Sequence, residues 1–539
     1  MNLTTTVRTW IDRDPDPETR AELEDLLERR ELDELAARFS GALEFGTAGL
    51  RGPLGAGPTR MNRSVVTQTA AGLAAYLLAD HDSPVIVIGY DARHKSADFA
   101  RDTAEVMAGA GIRAMLLPRA LPTPVLAFAI GHLGATAGVM VTASHNPRTD
   151  NGYKVYLGDG SQISSPNDAL IADEISRVGP IDALPRNASF DVVSDEVVSA
   201  YIDAVAGYQQ AAPKDLSIAY TPMHGVGGAL FLEAAQRFGV AEIACVEIQF
   251  DPDPDFTTLP FPNPEEPGAM DLVYALGLQT ESDLLIAHDP DADRLAVGVR
   301  TATGYEVLTG DQLGCVLAEG LARQGVRGTF ASSIVSSRLL GKIANAHGLP
   351  WQQTLTGFKW IGKVPGLVFG YEEALGYCVR PDLSRDKDGI SAALLTIGLA
   401  NSLKQQGLAL LDMYDDLERL HGVHVTRQVS IRGGQSTDFT TQLEALVARP
   451  PRALANVPIS KVTDLAAGAY GLAPTTGVRL ELTGGHTVTC RPSGTEPKLK
   501  CYIEVVRPPE PDLQASRTAA NRLAESLVID VTNLFSSAS

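Results

Sequence analysis

The sequence predicts a multidomain α/β protein that ends in a smaller α+β domain, on three observations. Short apolar runs of strand length alternate with longer helical patterns. That alternation recurs in three blocks. After residue 429 the texture changes to hairpin-like strands and a closing helix. Strand, helix, strand at this spacing implies βα units around sheets covered on both faces.

The first block runs through Val85–Tyr90, Ala97–Ala110, Ala114–Pro118 and Gly138–Thr142, the second through Ser217–Thr221, Gly227–Phe238, Ile243–Ile248 and Leu284–His288. The third comprises Thr329–Val335, Ser336–His347, Leu367–Gly370 and Gly389–Lys404. Ahead of them, Glu18–Phe39 spaces Leu23, Leu26, Leu27, Leu32, Leu35 and Phe39 at helical steps between charges, predicting one amphipathic helix. Near the end, Val478–Leu482 and Thr487–Cys490 flank Gly484-Gly485 as a hairpin, Lys500–Val506 adds a strand, and Leu513–Val528 reads as a helix. The Pro- and Asp-rich stretch Asp251–Pro267 is the one long irregular loop, and such loops are more often functional than idle.

Composition bounds the function. The chain has 539 residues, too many for one core, with 44% hydrophobic and 20% charged residues, the balance of a globular protein. A net charge of −20 argues against nucleic acid or an anionic membrane as partner, since both need a basic footprint. A phosphorylated small molecule is still allowed, because local Arg and Lys can bind it. No apolar run reaches about 18 residues, so no membrane span is expected. The N-terminus lacks a secretory h-region. The five scattered cysteines fit a reducing compartment, with the cytoplasm as the expected location.

Four clusters carry chemistry. Thr142-Ala143-Ser144-His145-Asn146-Pro147 follows an apolar strand, where α/β sheets bind ligands, and Asn-Pro sets a turn that fixes the hydroxyl. A plain turn serine with a capping hydroxyl remains the alternative. Lys154 follows, within reach of the same strand end. Asp289-Pro290-Asp291-Ala292-Asp293-Arg294 points alternate carboxylates at one spot, as a hard divalent cation requires. Without a counter-ion their repulsion is costly. The Gly and Glu of an EF-hand loop are missing. Arg491-Pro492-Ser493-Gly494-Thr495-Glu496-Pro497-Lys498 supplies the donors of a phosphate cradle, with a hairpin corner as the alternative. Thr356-Gly357-Phe358-Lys359, Tyr371-Glu372-Glu373-Ala374-Leu375-Gly376 and Arg385-Asp386-Lys387-Asp388-Gly389 combine paired acceptors for sugar hydroxyls with basic residues for phosphate.

In this order, together with Phe45-Gly46-Thr47-Ala48-Gly49-Leu50-Arg51-Gly52, the clusters resemble the α-D-phosphohexomutase family over most of the chain. The resemblance implies a four-domain, heart-shaped architecture with a central active-site cleft: three α/β domains with mixed sheets and a small C-terminal α+β domain. It places the phosphoserine loop in residues 1–210, the metal loop in 211–322, the sugar loop in 323–428 and the phosphate loop in 429–539. Ser144 would be the phosphoserine, and Asp289, Asp291 and Asp293 would bind Mg²⁺ together with its phosphate. Lys154 would be the general acid or base, with His145 and Arg51 beside the transferring phosphate. Arg294, Thr356, Gly357, Lys359, Glu372, Glu373, Ala374 and Lys387 would meet the sugar, and Arg491, Ser493, Gly494 and Thr495 its second phosphate.

The activity implied is interconversion of a sugar 1-phosphate and 6-phosphate, glucose and/or mannose, through a bisphosphate intermediate. A glucose 1,6-bisphosphate type activator accompanies it, and the protein would be a monomer or dimer. Ala374 stands where many hexose mutases carry serine, which keeps a phosphopentomutase open. A Mg-dependent phosphatase of the haloacid dehalogenase type, with Asp289 as nucleophile, is a rival, as is a non-catalytic sugar-phosphate binder. A dinucleotide site is set aside, because Gly55-Ala56-Gly57 does not join a clear strand to a helix.

Overall fold

The computed structural model describes residues 2–44, 49–207, 216–433, 438–492 and 498–536. Its internal contacts divide it into two compact units, Met1–Leu308 with Gly376–Asn401 and Thr309–Leu375 with Ser402–Ser539.

The first unit holds two sheets. One has the strands β1 (Leu50–Pro53), β2 (Val85–Tyr90), β3 (Arg113–Leu116), β4 (Ala137–Val141), β5 (Asp150–Leu157) and β6 (Asp191–Val192), in the order β1-β5-β4-β2-β3-β6. β2 lies parallel to β3 and β4, while β5 runs antiparallel to β4 and β1, so the sheet is mixed. Ile86, Ile88, Val139 and Val141 pack against Leu73, Phe99 and Met107 of the covering helices. That buried layer fixes the C-terminal end of β4, from which the serine loop departs. The second sheet, order β11-β10-β9-β7-β8, is built from β7 (Ile218–Thr221), β8 (Ile243–Cys245), β9 (Leu284–His288), β10 (Leu295–Thr301) and β11 (Gly304–Val307). All of β9 is buried, and it delivers Asp289 at its end.

In the second unit, Thr329–Ser333 pairs in parallel with Trp351–Thr354 on one side and Leu367–Glu372 on the other. A separate antiparallel sheet runs from His424 to Val506 and packs on the helix Leu513–Ser536. The hairpin around Gly484-Gly485 forms as predicted, with Val478 opposite Cys490 and the two glycines at φ 87 and φ 85. Three α/β sheet regions and one antiparallel α+β region match the predicted fold class.

Two local expectations change. The single helix over 18–39 is two, Pro17–Glu28 and Leu32–Arg38, preceded by Leu3–Arg13. The break falls at Arg30, whose φ of 59 is left-handed, and the Glu31 N–H donates back to the Leu26 carbonyl at 3.0 Å. Arg29, Arg30 and Glu31 give the chain no apolar residue with which to continue the buried stripe. The strand read as Ile243–Ile248 ends at Cys245, and a 3-10 turn over Glu247–Gln249 follows. Gln249 is buried there and accepts from Thr221 Oγ1 at 2.7 Å. Among the described residues, no helix is long and apolar enough to cross a membrane.

One ion cluster ties two helices that cover the first sheet, Arg63–Asp80 and Ser96–Gly109, to each other. Asp102, fully buried on the helix Ser96–Gly109, accepts from Arg63 Nε at 2.7 Å and Arg63 Nη2 at 2.8 Å, and also pairs with Arg186. Without Asp102, Arg63 loses its carboxylate and Arg186 keeps only Glu105, both arginines being part-exposed. Asp102→Ala should therefore lower the unfolding free energy by about 1.5–3 kcal/mol, read as a drop in the urea midpoint.

Candidate active site

Ser144 sits two residues into the loop after β4's last neighbour Thr142, and its local geometry is set by short-range bonds. Its N–H donates to Thr142 Oγ1 at 2.9 Å, and its φ of 52 puts it in the left-handed region. The loop closes with Asn146 N–H on the Ala143 carbonyl at 3.1 Å and Asn146 Nδ2 on Asp150 Oδ2 at 2.9 Å. Gly152 on β5 admits the loop closely: a Cβ there would lie 2.6 Å from the Thr142 carbonyl oxygen. Ser144 is left 2% exposed, with its hydroxyl donating to Asp289 Oδ2 at 2.9 Å.

Asp289, Asp291 and Asp293 are all fully buried, and one ligand oxygen from each lies within 4.8 Å of the others. The turn that gathers them uses Ala292 at φ 52, with its N–H on the Asp289 carbonyl at 2.8 Å. Asp291 Oδ2 accepts from Thr123 Oγ1 at 2.6 Å and from Lys154 Nζ at 2.7 Å. Lys154 Nζ reaches Asp293 Oδ2 at 3.0 Å, and Lys387 Nζ lies 3.2 Å from the same oxygen. Arg294 donates its N–H to Asp289 Oδ1 at 3.0 Å, with Nε 3.8 Å from both Asp289 and Asp293.

Charge is distributed unevenly over this cluster. Burial, then Asp291 and Asp293, push the Asp289 carboxyl well above its ordinary range. Burial also opposes ionisation of Asp293, yet Lys154, Lys387 and Arg294 hold it far below that range. Asp291 is held low against burial by Lys154 and Thr123. Burial works against a charged Lys154, but Asp291 and Asp293 outweigh it and raise the ammonium above its usual value. Lys154 in this arrangement holds a proton.

The cluster fits a hard divalent cation. Asp291 Oδ1 and Asp293 Oδ1 are buried without a hydrogen-bond partner, so two lone-pair sets stand ready beside Asp289. All three donors are carboxylate oxygens, which favour a hard ion over a soft one. Arg51 on β1 donates to Asn146 Oδ1 at 3.0 Å, while its buried Nε has no partner, a donor suited to an anion near the serine. His145 follows Ser144, half-buried, on the same loop.

The structure thus brings together Ser144, Lys154, Asp289, Asp291, Asp293, Arg294 and Lys387, with Arg51 and His145 beside them. The other predicted residues lie in the second unit. There Glu372 Oε1 accepts from the Gly357 N–H at 2.7 Å. Glu373 Oε2 accepts from Ser333 Oγ at 3.0 Å and Ser336 Oγ at 2.8 Å. Ala374 follows, half-buried, Thr356 precedes Gly357, and Lys359 is buried with Nζ 5.8 Å from the Trp360 ring centroid. Arg491 lies within the strand Thr487–Pro492, opposite Lys500, while Ser493, Gly494 and Thr495 lie outside the described residues.

Sequence reasoning missed several supports. Thr123 steadies Asp291. His288, buried next to the Asp289–Arg294 loop and lowered by that burial to about 4, joins Tyr220 Oη at 3.1 Å to the Gly389 carbonyl at 3.0 Å. Arg93 holds the serine loop itself. The signal for Arg93 was Asp91-Ala92-Arg93 directly after β2, a charged pair at a strand end like the ones that were read.

A buried serine hydroxyl on a carboxylate triplet at the strand ends of α/β sheets is equipment for phosphoryl transfer. Comparison with known proteins narrows this. Residues 42–180, 199–304 and 309–419 match the family profiles "Phosphoglucomutase/phosphomannomutase, alpha/beta/alpha" domains I, II and III, respectively. A "Probable phosphomannomutase" of Haemophilus influenzae is 47% identical over 82% of this chain and 93% of its own length. A human "Phosphopentomutase" is 34% identical over 93% of this chain and 91% of its own. Among solved structures, a phosphoglucomutase/phosphomannomutase family protein of Burkholderia thailandensis shares the fold, with TM-score 0.70 at 17% identity, covering 91% of this chain and 97% of that one. The chain belongs to the phosphoglucomutase/phosphomannomutase family of α-D-phosphohexomutases.

Beneath Glu373 lies Asp311, buried, with Oδ1 accepting from the Ser337 N–H at 2.7 Å and Tyr371 Oη at 2.9 Å. Burial lifts its carboxyl to about 7. Between about pH 4 and 7 the folded chain then keeps a proton that the unfolded chain has released. This group's contribution is therefore fully present at acid pH and lost as pH rises through 7. Asp311→Asn keeps the acceptor without the charge. It should exceed wild type in stability at pH 8 by up to about 4 kcal/mol and match it below pH 4, as read from urea midpoints.

Proposed function

We propose that Ser144 carries the phosphoryl group of a sugar-phosphate mutase, and that hexose phosphates, glucose and/or mannose, are its substrates. As a family member the chain is an isomerase of the intramolecular phosphotransferase type. The observation that carries the role of Ser144 is its hydroxyl on Asp289 Oδ2 at 2.9 Å, beside two unpartnered carboxylate oxygens.

In this reading phosphoserine 144 donates its phosphoryl group to the free hydroxyl of a sugar phosphate, giving a sugar bisphosphate. The bisphosphate reorients, and its other phosphate returns to Ser144. Lys154 holds the proton exchanged with the sugar hydroxyl, and its pairing with Asp291 and Asp293 fixes the ammonium within the carboxylate cluster. Arg51 and His145 bind the phosphoryl oxygens as they turn. Asp289, Asp291 and Asp293, with the serine phosphate, would hold Mg²⁺, which would neutralise charge on the transferring group. A sugar bisphosphate of the glucose 1,6-bisphosphate type would prime the serine.

Arg294, Lys387, Thr356, Gly357, Lys359, Glu372, Glu373 and Ala374 are the proposed sugar-binding set, and Arg491 with Ser493, Gly494 and Thr495 the set for the second phosphate. Glu372 and Glu373 are braced by Gly357, Ser333 and Ser336, which supports fixed acceptors for sugar hydroxyls. Four buried, unpaired thiols and a fifth half-buried one support a reducing, cytoplasmic setting.

The rival with Asp289 as phosphatase nucleophile is disfavoured. It gives no role to Ser144, whose hydroxyl donates to that carboxylate at 2.9 Å. A pentose phosphate is the second reading for the substrate. It is supported by Ala374 in the sugar loop and by the human phosphopentomutase matched over 93% of the chain.

Steady-state rates with glucose 1-phosphate, mannose 1-phosphate and ribose 1-phosphate, each with its bisphosphate, test the substrate. Highest kcat/KM on ribose 1-phosphate would replace the hexose reading with the pentose one. Ser144→Ala should lose about four to six orders of magnitude in kcat and take up no phosphate from the bisphosphate. Inorganic phosphate as the main product would sink the mutase.

A further inference from the structure

We propose that Arg93, backed by Phe256, is a positioning residue that moulds the serine loop around the phosphate carrier. The inference rests on Ser144 being that carrier. Arg93 is 4% exposed and its guanidinium meets four backbone carbonyls of one loop. Nη2 donates to the Ser144 and Asn146 carbonyls, each at 2.6 Å, and Nη1 to the Pro147 carbonyl at 2.8 Å and the Asp150 carbonyl at 3.1 Å.

These acceptors bracket the stretch 144–150, in which the carbonyls turn toward one point. Such convergence is repulsive unless a cation sits at its centre. Ser144 itself is in a left-handed conformation, φ 52, without being glycine or asparagine, so the turn needs outside support to persist. A planar fork with fixed donor directions supplies it, whereas a single ammonium cannot address four acceptors in one plane.

The guanidinium is itself fixed. Its Nε lies 3.4 Å from Asp91 Oδ2, and the Arg93 N–H donates to Asp91 Oδ1 at 3.0 Å. Ser96 Oγ donates to the same oxygen at 2.6 Å. Over its face lies the Phe256 ring, with its centroid 4.9 Å from Arg93 Cζ. Phe256 is 3% exposed and held at φ 47. It comes from the Pro- and Asp-rich loop Asp251–Pro267, whose Asp255 also lies 3.1 Å from His94 Nε2 and 3.8 Å from Arg148 Nη1 of the serine loop. The Asp253 carboxylate shapes that loop by accepting from the Thr257 N–H at 3.1 Å and Thr257 Oγ1 at 2.8 Å. The loop's task is to cap Arg93 and keep water from its carbonyl partners.

Neither residue touches the carboxylate triplet by hydrogen bond, so a positioning role separates from metal and substrate binding. The test compares wild type, Arg93→Lys and Phe256→Leu as full-length enzymes. Three quantities are measured: transfer of labelled phosphate from glucose 1,6-bisphosphate to Ser144, steady-state kcat and KM, and Mn²⁺ affinity by electron paramagnetic resonance. Arg93→Lys should slow both phosphate uptake and kcat by about 100-fold, as a misplacement near 1 Å does, with KM and Mn²⁺ affinity within threefold of wild type. Phe256→Leu should show a smaller loss of the same pattern.

Transfer by Arg93→Lys within threefold of wild type overturns the proposal. So does a parallel collapse of KM and Mn²⁺ affinity, which marks a general structural role. Should Arg93→Lys fail to fold, Phe256→Leu decides alone: wild-type transfer in it overturns the proposal. Absence of label on Ser144 in wild type is a different failure, of the carrier reading on which the proposal stands.

Discussion

Three carboxylates at zero exposure, with ligand oxygens within 4.8 Å of one another, cannot all be charged unless cations stand among them. Much of the first unit is organised to supply those cations. Lys154 arrives on β5, Arg294 at the head of β10 and Lys387 from the segment Gly376–Asn401, which belongs to this unit although it follows sixty-odd residues of the other. Delivery of Lys387 is itself braced. Asp386 accepts from Tyr156 Oη at 2.8 Å and Gln162 Nε2 at 2.6 Å, and the next turn begins at Gly389, where a Cβ would meet the Arg294 carbonyl at 2.4 Å. These cations offset the cluster's negative charge, with Lys387 shared with Asp386 at 3.4 Å and the Asp289 carboxyl held above its ordinary range. A phosphorylated serine adds roughly two negative charges and a divalent ion two positive ones, so the two can enter together without upsetting that offset.

What was legible in the sequence follows from the same constraint. Residues whose chemistry is costly without partners announce themselves: Asp-x-Asp-x-Asp after an apolar strand, and a serine before His-Asn-Pro at another. The strand and helix blocks were legible because buried parallel strands are continuous apolar runs. Arg93 was marked only by Asp91 two residues before it, and nothing local shows its task, because its carbonyl acceptors lie more than fifty residues away. His288 hid for a similar reason, since its partners Tyr220 and Gly389 are joined to it only by the fold. The helix break at Arg30 is a backbone event that the apolar spacing on either side conceals.

The second unit treats its paired glutamates differently. Glu372 and Glu373 are adjacent and half-buried, and neutral donors meet both: the Gly357 amide reaches Glu372, and the Ser333 and Ser336 hydroxyls reach Glu373. Such donors fix the direction in which a carboxylate presents its remaining lone pairs. Asp311 is the contrary case: burial, with Glu373 nearby, keeps its proton on until about pH 7.

Proton placement at Ser144 then reduces to the partners of Lys154. With both Asp291 and Asp293 engaged, the ammonium keeps its proton, so this arrangement equips Lys154 to give a proton and not to take one. Taking one requires its carboxylate partners to be weakened, and the oxygens it uses are Asp291 Oδ2 and Asp293 Oδ2. Their geminal oxygens, both Oδ1, have no hydrogen-bond partner. Whatever cation the Oδ1 pair attracts therefore draws charge from the same two carboxylates that hold the lysine proton. Charge on the phosphate side and basicity at Lys154 are thereby tied through two side chains, and a residue that serves as acid in one half of a reversible transfer can serve as base in the other.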